Sequence, residues 1–449
     1  MDLFTKYNIP GPRYTSYPTV PFWQTDSFNS NAWKECISTN NNLEKPISVY
    51  IHLPFCESLC TFCACHKRIT KNHSLETPYI DAVIAEWSHY FDLFGKKPTI
   101  AELHLGGGTP SFFSPESLDK LLKGIFQYAN KAEAIDFSWE GHPNNTSFEH
   151  LKVLNNHGFE RVSFGVQDYD PVVQKAIHRI QPFENVERVT RQAREIGYTS
   201  VSHDLVFGLP FQTKTSIENT INKTLELKPD RISFYSYAHV PWIKGNGQRG
   251  FNDDDLPSGP EKRELYDFGR QMLEANGYFE VGMDHFAKTS DPLFTAMKNG
   301  SLHRNFMGYT VQNTSMLIGL GASAISDIGN AYAQNSKDIK AYENSVANGE
   351  LPLLKGHIMS PNDVFLKAQI LNIMCRFGTT WKVSDWDTKD LFLLIQKLKE
   401  FEEDGLVEIH SKGLKVTPLG IPFVRNIAML FDAYLLQKKG TENLFSQTV

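Results

Sequence analysis

The chain has 449 residues, 41% hydrophobic and 21% charged, which is enough for two or three globular domains. Its formal net charge of −6 argues against a general nucleic-acid-binding protein, and apolar stretches such as residues 316–325 are too short to cross a bilayer. The first residues lack the pattern of a secretory signal, and six cysteines are too few for a disulfide framework. We therefore expect a cytoplasmic protein that neither spans a membrane nor binds nucleic acid.

Residues 1–45 contain a proline- and tyrosine-rich stretch at positions 10–18, which predicts an amino-terminal arm laid over the rest of the protein. From residue 46 to about residue 330, strand-like and helix-like segments alternate. The predicted strands cover residues 46–54, 100–105, 135–140, 161–167, 200–207 and 231–239. Because such alternation produces parallel strands with right-handed crossovers, it predicts an α/β fold, a partial, six-stranded version of the TIM-like barrel.

Distinctive residues recur at the carboxyl ends of these strands, where such barrels carry their chemistry. In strand order they are a cysteine-rich loop, the glycine run 106–108, Glu140, Gln167, Asp204 and Ala238. Packing alone does not explain this recurrence at one end of successive strands. We therefore expect the active site there.

Residues 331–449 have a different character and predict a small, mainly helical domain. Helices are expected over residues 331–350, 363–377, 386–404 and 421–431, with a short hairpin over 406–410 and 413–417. Helix, hairpin and helix in this order are typical of a winged-helix-like domain. Given the acidic balance of the chain, we expect it to pack against the barrel without contacting nucleic acid.

Four cysteines lie within ten residues, and three of them, Cys56, Cys60 and Cys63, have the spacing C-x3-C-x2-C. Three thiolates can ligate three irons of a [4Fe–4S] cluster and leave the fourth iron open to a small molecule. A structural zinc site needs four ligands, usually as two separated pairs, although Cys65 or His66 could complete one here. The spacing favours the iron–sulfur cluster and leaves zinc as the alternative.

An open iron requires a ligand with nitrogen and oxygen donors, and the amino and carboxylate groups of S-adenosylmethionine meet that requirement. The glycine run suits such a ligand because it permits close backbone approach and positive φ. Taken alone, three glycines also fit an ordinary tight turn. The run lacks the Gly-Lys-Ser/Thr ending of a phosphate-binding loop.

The cysteine spacing, with the aromatic Phe62 before the last cysteine, resembles the signature of radical S-adenosylmethionine (SAM) enzymes. Over roughly residues 10–330 the chain further resembles the oxygen-independent coproporphyrinogen III oxidases, and the fourth cysteine, Cys65, strengthens that likeness. The segments that carry it are residues 12–18, 50–56, 104–110, 165–168, 204–210, 237–239, 282–286, 302–306 and 319–326.

The resemblance implies a role for individual residues. Cys56, Cys60 and Cys63 would ligate the cluster. The residues expected to contact the S-adenosylmethionine on the open iron are Tyr50, Gly107, Glu140 and Ile325. A second S-adenosylmethionine is expected nearby, and the residues that match its site are Phe62, Gly108, Thr109, Gln167, Arg179, Asp204 and Ala238. His52 shares a strand face with Tyr50 and is a candidate catalytic residue, with a core histidine as the alternative.

The implied reaction is the oxidative decarboxylation of two propionates of coproporphyrinogen III to vinyls, started by a 5′-deoxyadenosyl radical and giving protoporphyrinogen IX. It implies a low-potential electron donor, flavodoxin- or ferredoxin-like, and we expect a monomer. Because the substrate carries four carboxylates, cationic side chains should surround it. The candidates are Arg13, Lys67, Arg68, His303 and Arg304. The alternatives are a haem-binding or haem-transfer relative on the same scaffold and a radical SAM methyltransferase relative.

Overall fold

The computed structural model describes residues 2–25, 28–39, 41–242, 247–437 and 444–448. The strands are β1 (Ile47–Leu53), β2 (Phe55–Cys56), β3 (Arg68–Ile69), β4 (Thr99–Gly107), β5 (Asn130–Gly141), β6 (Phe159–Gln167), β7 (Ser200–Phe207), β8 (Arg231–Ser236), β9 (Tyr278–Glu280), β10 (His285–Lys288), β11 (His303–Asn305), β12 (Gly308–Thr310), β13 (Leu317–Leu320), β14 (Ile325–Asp327), β15 (Ala331–Asn335), β16 (Leu353–Ile358), β17 (Gly378–Thr380), β18 (Val407–His410) and β19 (Gly413–Val416).

The α-helices are α1 (Leu3–Tyr7), α2 (Ser30–Ser38), α3 (Glu76–Phe94), α4 (Pro115–Gln127), α5 (Phe148–Asn156), α6 (Pro171–Ala176), α7 (Phe183–Ile196), α8 (Lys214–Glu226), α9 (Gly259–Ala275), α10 (Pro292–Lys298), α11 (Ile339–Ala347), α12 (Pro361–Arg376), α13 (Thr388–Glu403), α14 (Val424–Met429) and α15 (Ala433–Gln437). Short 3₁₀ helices join some of them, for example Ile421–Phe423 before α14.

The main sheet of the described residues has the strand order β16-β15-β14-β13-β1-β4-β5-β6-β7-β8-β10-β9. From β1 through β8, neighbours in this order pair in parallel, and β13 also runs parallel to β1. The remaining strands at both edges are antiparallel. The six predicted parallel strands are therefore confirmed, in an open sheet that does not close into a barrel.

The parallel block forms because its strands are apolar toward the crossover helices. Ile47, Val49 and Ile51 of β1 are fully buried in a core that also contains Trp87 of α3 and Leu121 of α4. Burying an aliphatic or aromatic side chain of this size stabilises the folded state by on the order of 1.5–3 kcal/mol. This core holds the crossover helices against one side of the sheet. Because the strands are parallel, their carboxyl ends all lie at the same edge.

One helix prediction is wrong at its start. The segment 331–335, expected to open a helix over 331–350, is strand β15, and the helix α11 begins only at Ile339. Alanine at positions 331 and 333 favours a helix, but every residue of β15 is buried and the strand pairs with β14 and β16. Tertiary pairing therefore outweighs the local preference, and the sheet continues to Ile358, beyond the predicted division at residue 330.

The carboxyl-terminal region is mainly helical, as expected, with α12, α13 and α14 packed around the small sheet β17-β19-β18. The amino-terminal arm lies against it. Tyr14 donates to Asp432 at 3.0 Å, and the guanidinium of Arg425 donates to the carbonyls of Gly11 and Pro12. Arg13 of the arm also donates to the carbonyl of Ser236, the last residue of β8, at 3.2 Å. The arm thus joins the carboxyl-terminal region to the carboxyl end of the parallel strands.

Candidate active site

A cavity of about 500 Å³ opens at the carboxyl ends of the parallel strands. The predicted site residues that line it are Cys56, Cys60, Phe62, Cys63, Gly107, Gly108, Thr109, Glu140, Gln167, Arg179, Asp204 and Ala238. Among the described residues, the cavity wall does not include Tyr50, His52 or Ile325. The structure thus gathers the three cysteines with most of the residues predicted to surround them.

The cysteine loop is held in place by backbone contacts. At its ends, β2 pairs in parallel with β3. In its middle, the N–H and hydroxyl of Thr61 donate to the carbonyls of Ile177 at 3.0 Å and Ala176 at 2.9 Å. The ammonium of Lys67 donates to the Cys63 carbonyl at 2.9 Å. These contacts come from the protein itself and orient the loop toward the cavity.

Cys56, Cys60 and Cys63 have free thiols on this cavity. The Thr109 hydroxyl donates to Cys56 Sγ at 3.2 Å, and Arg179 Nη1 lies 3.7 Å from Cys60 Sγ. Such donors stabilise negatively charged sulfur, as in iron–sulfur sites. Within the described residues, no three His, Cys, Asp or Glu side chains converge as one metal ion requires. Three thiolates with donors to their sulfurs fit a cluster, in which each thiolate ligates a different iron.

The thiol of Cys65 is hydrogen-bonded to that of Cys63, and both cysteines are free. Its hydrogen bond to Cys63 lowers the pKa of the Cys63 thiol, and the cations Lys67 and Arg179 act in the same direction. The same hydrogen bond raises the pKa of Cys65. Cys65 also lines the cavity, so it lies beside the three predicted ligands without belonging to their spacing.

The glycine run ends β4 with a backbone that a side chain would obstruct. Gly107 has a φ of +114°, and a Cβ there would lie 2.6 Å from the His52 ring. A Cβ on Gly108 would lie 2.6 Å from the carbonyl group of Pro54. The Gly108 N–H donates to the Leu53 carbonyl at 2.9 Å. The predicted positive φ is confirmed at Gly107, and the run packs the end of β4 tightly against the exit from β1.

Glu140, at the end of β5, has its carboxylate on the cavity, with 48% of the side chain exposed. Its Oε1 lies 3.5 Å from His104 Nε2, and its Oε2 accepts from the Gly107 N–H at 3.3 Å. Burial pushes the pKa of Glu140 upward, but His104 and the Gly107 N–H outweigh burial and hold the pKa below its ordinary value. The group is therefore a carboxylate at neutral pH, which suits an ammonium ligand.

His52 lies behind the glycine run, with both ring nitrogens engaged. Its Nε2 is 3.0 Å from the His66 carbonyl, which can only accept, so Nε2 carries the proton. Nδ1 then accepts from the Tyr50 hydroxyl at 3.0 Å. Burial lowers the pKa of His52 to about 4, which keeps the ring neutral at neutral pH. The Tyr50 ring in turn stacks on His104, with centroids 6.0 Å apart.

Another part of the cavity wall, called the far wall here, is formed by Gln167, Arg179 and Asp204. Gln167 has a φ of +67°, an uncommon conformation for a residue other than glycine and one found at functional sites. A Cβ on Gly165 would lie 2.6 Å from the Gln167 amide nitrogen and 2.9 Å from Arg179 Nη2, so glycine makes room for both. Burial raises the pKa of Asp204 to about 6, and the Ser163 hydroxyl donates to it at 2.7 Å.

Arg179 has unused hydrogen-bonding capacity at this wall. Its Nη2 donates to the Gly165 carbonyl at 2.6 Å, while its Nε is buried without a partner among the described residues. A buried donor without an acceptor is costly unless a ligand or water supplies one. This wall therefore fits a ligand that carries a carboxylate or other acceptor.

Ile325 lies on β14, opposite Gln334 of β15. It is partly buried against Trp23, Tyr332 and Met359, away from the residues that line the cavity. Its backbone lies close to Gly319 of β13, where a Cβ would be 2.3 Å from the Ile325 carbonyl oxygen. Ile325 is thus, like Tyr50 and His52, not part of the cavity wall.

Known proteins resemble the chain over its whole length. The oxygen-independent coproporphyrinogen III oxidase of Helicobacter pylori is 40% identical over 100% of this chain and 99% of its own length. The protein of the same name from Escherichia coli is 39% identical over 98% of this chain and 96% of its own. The solved structure of coproporphyrinogen III oxidase (HemN) from Escherichia coli, a radical SAM enzyme, matches with a TM-score of 0.89 and 37% identity, over 94% of this chain and 98% of that one.

The chain belongs to the oxygen-independent coproporphyrinogen III oxidases. The sequence profile of the Radical SAM superfamily matches residues 50–224, from β1 into α8. The predicted family and α/β fold are confirmed, and membership makes the protein an oxidoreductase. The cofactors of this family are a [4Fe–4S] cluster and S-adenosylmethionine, for which the cysteine loop, the glycine run and Glu140 provide fitting donors.

The cationic side chains predicted to meet the substrate of this oxidase lie in three places. Arg13 and Lys67 line the cavity. Arg68 is exposed on the outside of the cysteine loop. His303 and Arg304 lie on the hairpin β11–β12, where Arg304 is buried over the Tyr309 ring.

Sequence reasoning missed other residues of the oxidase cavity, among them Glu57, His142, Asn145 and Tyr235, while Tyr237 was quoted only within a motif. The period of two along a strand was a signal for His142, which lies two residues beyond Glu140. His104 was quoted within a motif, but its contact with Glu140 was not foreseen. Within the described part of the oxidase, no helix is both long enough and apolar enough to cross a membrane.

Proposed function

We propose that this chain converts coproporphyrinogen III to protoporphyrinogen IX without oxygen, by oxidative decarboxylation of two propionates to vinyls. The supporting observation is one cavity that gathers three free thiols, a backbone-exposed glycine run and an ionised Glu140. The chain is also 40% identical over its full length to a curated oxidase of that name.

In this proposal Cys56, Cys60 and Cys63 ligate the cluster, with Thr109 and Arg179 as donors to sulfur. When bound, the cluster and S-adenosylmethionine supply the radical chemistry that removes a hydrogen atom from the substrate. The work of the protein is then to bind, orient and shield. The three thiolates must be held at fixed positions to ligate a cluster, and the hydrogen bonds of Thr61 and Lys67 hold the loop that carries them.

We propose that Glu140 accepts hydrogen bonds from the ammonium of S-adenosylmethionine, next to the exposed backbone of Gly107. Ile325, which lies away from the cavity wall, would contribute through its backbone. His52 acts as a positioning residue, because its Nδ1 accepts from the Tyr50 hydroxyl and its ring fills the space beneath Gly107. Replacing His52 should therefore change cofactor affinity more than the rate at saturation.

A second S-adenosylmethionine at the far wall completes the proposed site. Its support is the acceptor Asp204 and the buried, unpartnered Nε of Arg179, which together match the amino and carboxylate groups of a methionine moiety. The other residues proposed for this molecule are Phe62, Gly108, Thr109, Gln167 and Ala238. Equilibrium dialysis with labelled S-adenosylmethionine should then give two molecules per chain, and Asp204→Asn should leave one.

The proposed electron donor is an acidic, low-potential carrier of the flavodoxin or ferredoxin type. The surface outside the cysteine loop supports this, because three exposed cations outnumber the one exposed carboxylate of the described residues there, Asp338, in a chain of net charge −6. They are Arg68, Lys337 and Lys340, beside the partly buried Lys67. Complementary charge raises association rates in a salt-dependent way. We further propose that the protein is a cytoplasmic monomer with an arm (1–45), a radical SAM partial barrel (46–330) and a mainly helical domain (331–449), whose first part, β15 and β16, extends the main sheet.

An anaerobic assay of the reconstituted protein tests the proposed function. With coproporphyrinogen III, S-adenosylmethionine and a reductant, we expect vinyl-bearing product and 5′-deoxyadenosine, both absent from a Cys56→Ser variant. A methylated tetrapyrrole with intact propionates would instead support the methyltransferase alternative. Stable haem binding without deoxyadenosine would support a haem-transfer protein.

A further inference from the structure

A second, smaller cavity of about 70 Å³ adjoins the main one on the side of the amino-terminal arm. Arg13 and Ser236 line both cavities. A single water needs roughly 10–15 Å³ of such cavity volume, so the side cavity admits a group of a few heavy atoms, such as a carboxylate, but not a tetrapyrrole ring. Its size and position suit the end of a ligand whose body lies in the main cavity.

The lining of this side cavity has more cationic than anionic side chains. Its lining includes the cations Arg13, Lys262, Arg263, Arg270 and Arg425, against the carboxylates Glu280 and Asp284. Several of these groups pair with one another or with a neighbour. Arg13 pairs with Asp284 at 3.1 Å, Arg270 with Glu280 at 3.6 Å, and Arg263 with Asp267 outside the lining. Lys262 and Arg425 remain as positive charges without a carboxylate partner among the described residues.

Arg425 is occupied by the backbone. Its guanidinium donates to the carbonyls of Gly11, Pro12, Gln447 and Thr448, which leaves little capacity for a ligand. It therefore supplies charge and fixes the arm, but it is not the donor that a ligand would meet.

Lys262 has the free capacity that Arg425 lacks. Its Nζ donates to the Tyr237 carbonyl at 2.8 Å, which leaves two of its three N–H groups for other acceptors. Its stem packs under Gly208, where a Cβ would lie 2.7 Å from Lys262 Cε. Burial, with Arg13 and Arg425 nearby, outweighs the attraction of Asp284 and lowers the pKa of Lys262 to about 8. The ammonium is therefore charged at neutral pH, and no carboxylate among the described residues lies within salt-bridge distance of it.

We propose that the side cavity binds one propionate carboxylate of the tetrapyrrole, with the Lys262 ammonium as its donor, while a second propionate reacts beside Glu140 in the main cavity. This inference rests on the proposed function, because it takes the substrate from it. The anchored carboxylate would be one that the product retains. Lys262 would thus fix which propionate reaches the reactive end.

The test compares coproporphyrin III with its tetramethyl ester, which has the same ring but no carboxylate charge, by fluorescence titration of the reconstituted enzyme. Lys262→Met should weaken coproporphyrin III binding and raise the KM for coproporphyrinogen III by about tenfold or more, the value of a charge-assisted hydrogen bond. Ester binding should stay unchanged, and Lys262→Arg should recover most of the affinity. The matched control is Lys214→Met, because Lys214 is exposed on α8 and lies over the Phe268 ring much as Lys262 lies over that of Phe207.

Unchanged coproporphyrin III affinity in Lys262→Met, or an equal loss for the ester, would overturn the proposal. If that variant does not fold, acylation of Lys262 in the unmodified enzyme, mapped by mass spectrometry, decides the matter. Protection by coproporphyrin III but not by the ester supports the anchor, and equal labelling with and without porphyrin overturns it. The proposed function fails separately, if the unmodified enzyme forms no vinyl product.

Discussion

Glu140, on the cavity wall, contacts His104, with Oε1 and Nε2 3.5 Å apart, while the other Glu140 oxygen accepts from the Gly107 N–H. The position of the Glu140 carboxylate thus depends on the backbone conformation of Gly107. Replacing the carboxylate with an amide keeps the size and removes the charge, so Glu140 separates electrostatics from packing at this point.

Glu140→Gln is expected to weaken S-adenosylmethionine binding by about tenfold to a hundredfold, because a charge-assisted hydrogen bond to the ammonium is lost. Equilibrium binding to the reconstituted protein measures this. Glu133→Gln, an exposed position on the same strand, is the matched control and should bind normally. Normal affinity in Glu140→Gln would remove Glu140 from the cofactor site.

Cys63→Ser should abolish the stable [4Fe–4S] cluster, because one of its three proposed ligands is lost. Iron and sulfide content, with the visible absorbance of the anaerobic protein, report the outcome. Cys36→Ser serves as the control, since Cys36 lies on α2 outside the loop. Equal iron content in both variants would mean that the cluster is held elsewhere.

Gly108→Ala should destabilise the protein by about 1–3 kcal/mol, the cost of overpacking a tight contact. The new Cβ would lie 2.6 Å from the Pro54 carbonyl group, which is backbone and cannot rotate away. Thermal unfolding of the cluster-free protein measures the change. Gly259→Ala, whose Cβ would only approach the Asn8 side chain to 3.3 Å, should unfold near the wild-type temperature. The same melting temperature in both variants would contradict the packing described here.

Acid should destabilise the fold partly through His203, which is fully buried against Thr190 at 2.9 Å. Burial lowers its pKa to about 3, well below the unfolded value. Between these two values the unfolded chain binds the additional proton, so stability falls as pH falls from about 6.5, by at most about 1.4 kcal/mol per pH unit. In urea unfolding, His203→Gln should reduce this loss, and the exposed His410→Gln should not. Parallel pH curves for all three proteins would exclude His203 as the source.

The six parallel strands were predictable because their apolar periodicity is local and the crossover rule then orders them. The predicted strand 200–207 has the same bounds as β7. β15 was not predictable in this way, since its pairing partners β14 and β16 decide its state and its alanines favour a helix. The local sequence pattern therefore predicted the strands that have their own apolar periodicity, but not β15, whose conformation depends on pairing with neighbouring strands.

The cysteine spacing and the strand ends predicted where the cavity lies and much of its wall. Lys262 shows why the rest could not be foreseen. It belongs to the ordinary amphipathic helix α9, and nothing near it in sequence marks it. Its place depends on how α9 packs beside the end of β8, where its ammonium meets the carbonyl of Tyr237. Such a contact between distant segments leaves no trace in the local sequence pattern.

Arg13 belongs to the arm and to both cavities, and its carbonyl accepts from Arg304 at 3.3 Å. A substrate that contacts this guanidinium must therefore stabilise the docked arm, and by reciprocity the docked arm must raise the affinity for substrate by the same factor. Hydrogen exchange at residues 10–18 should then slow when tetrapyrrole binds. The arm would in that case couple closure of the cavity to the presence of substrate.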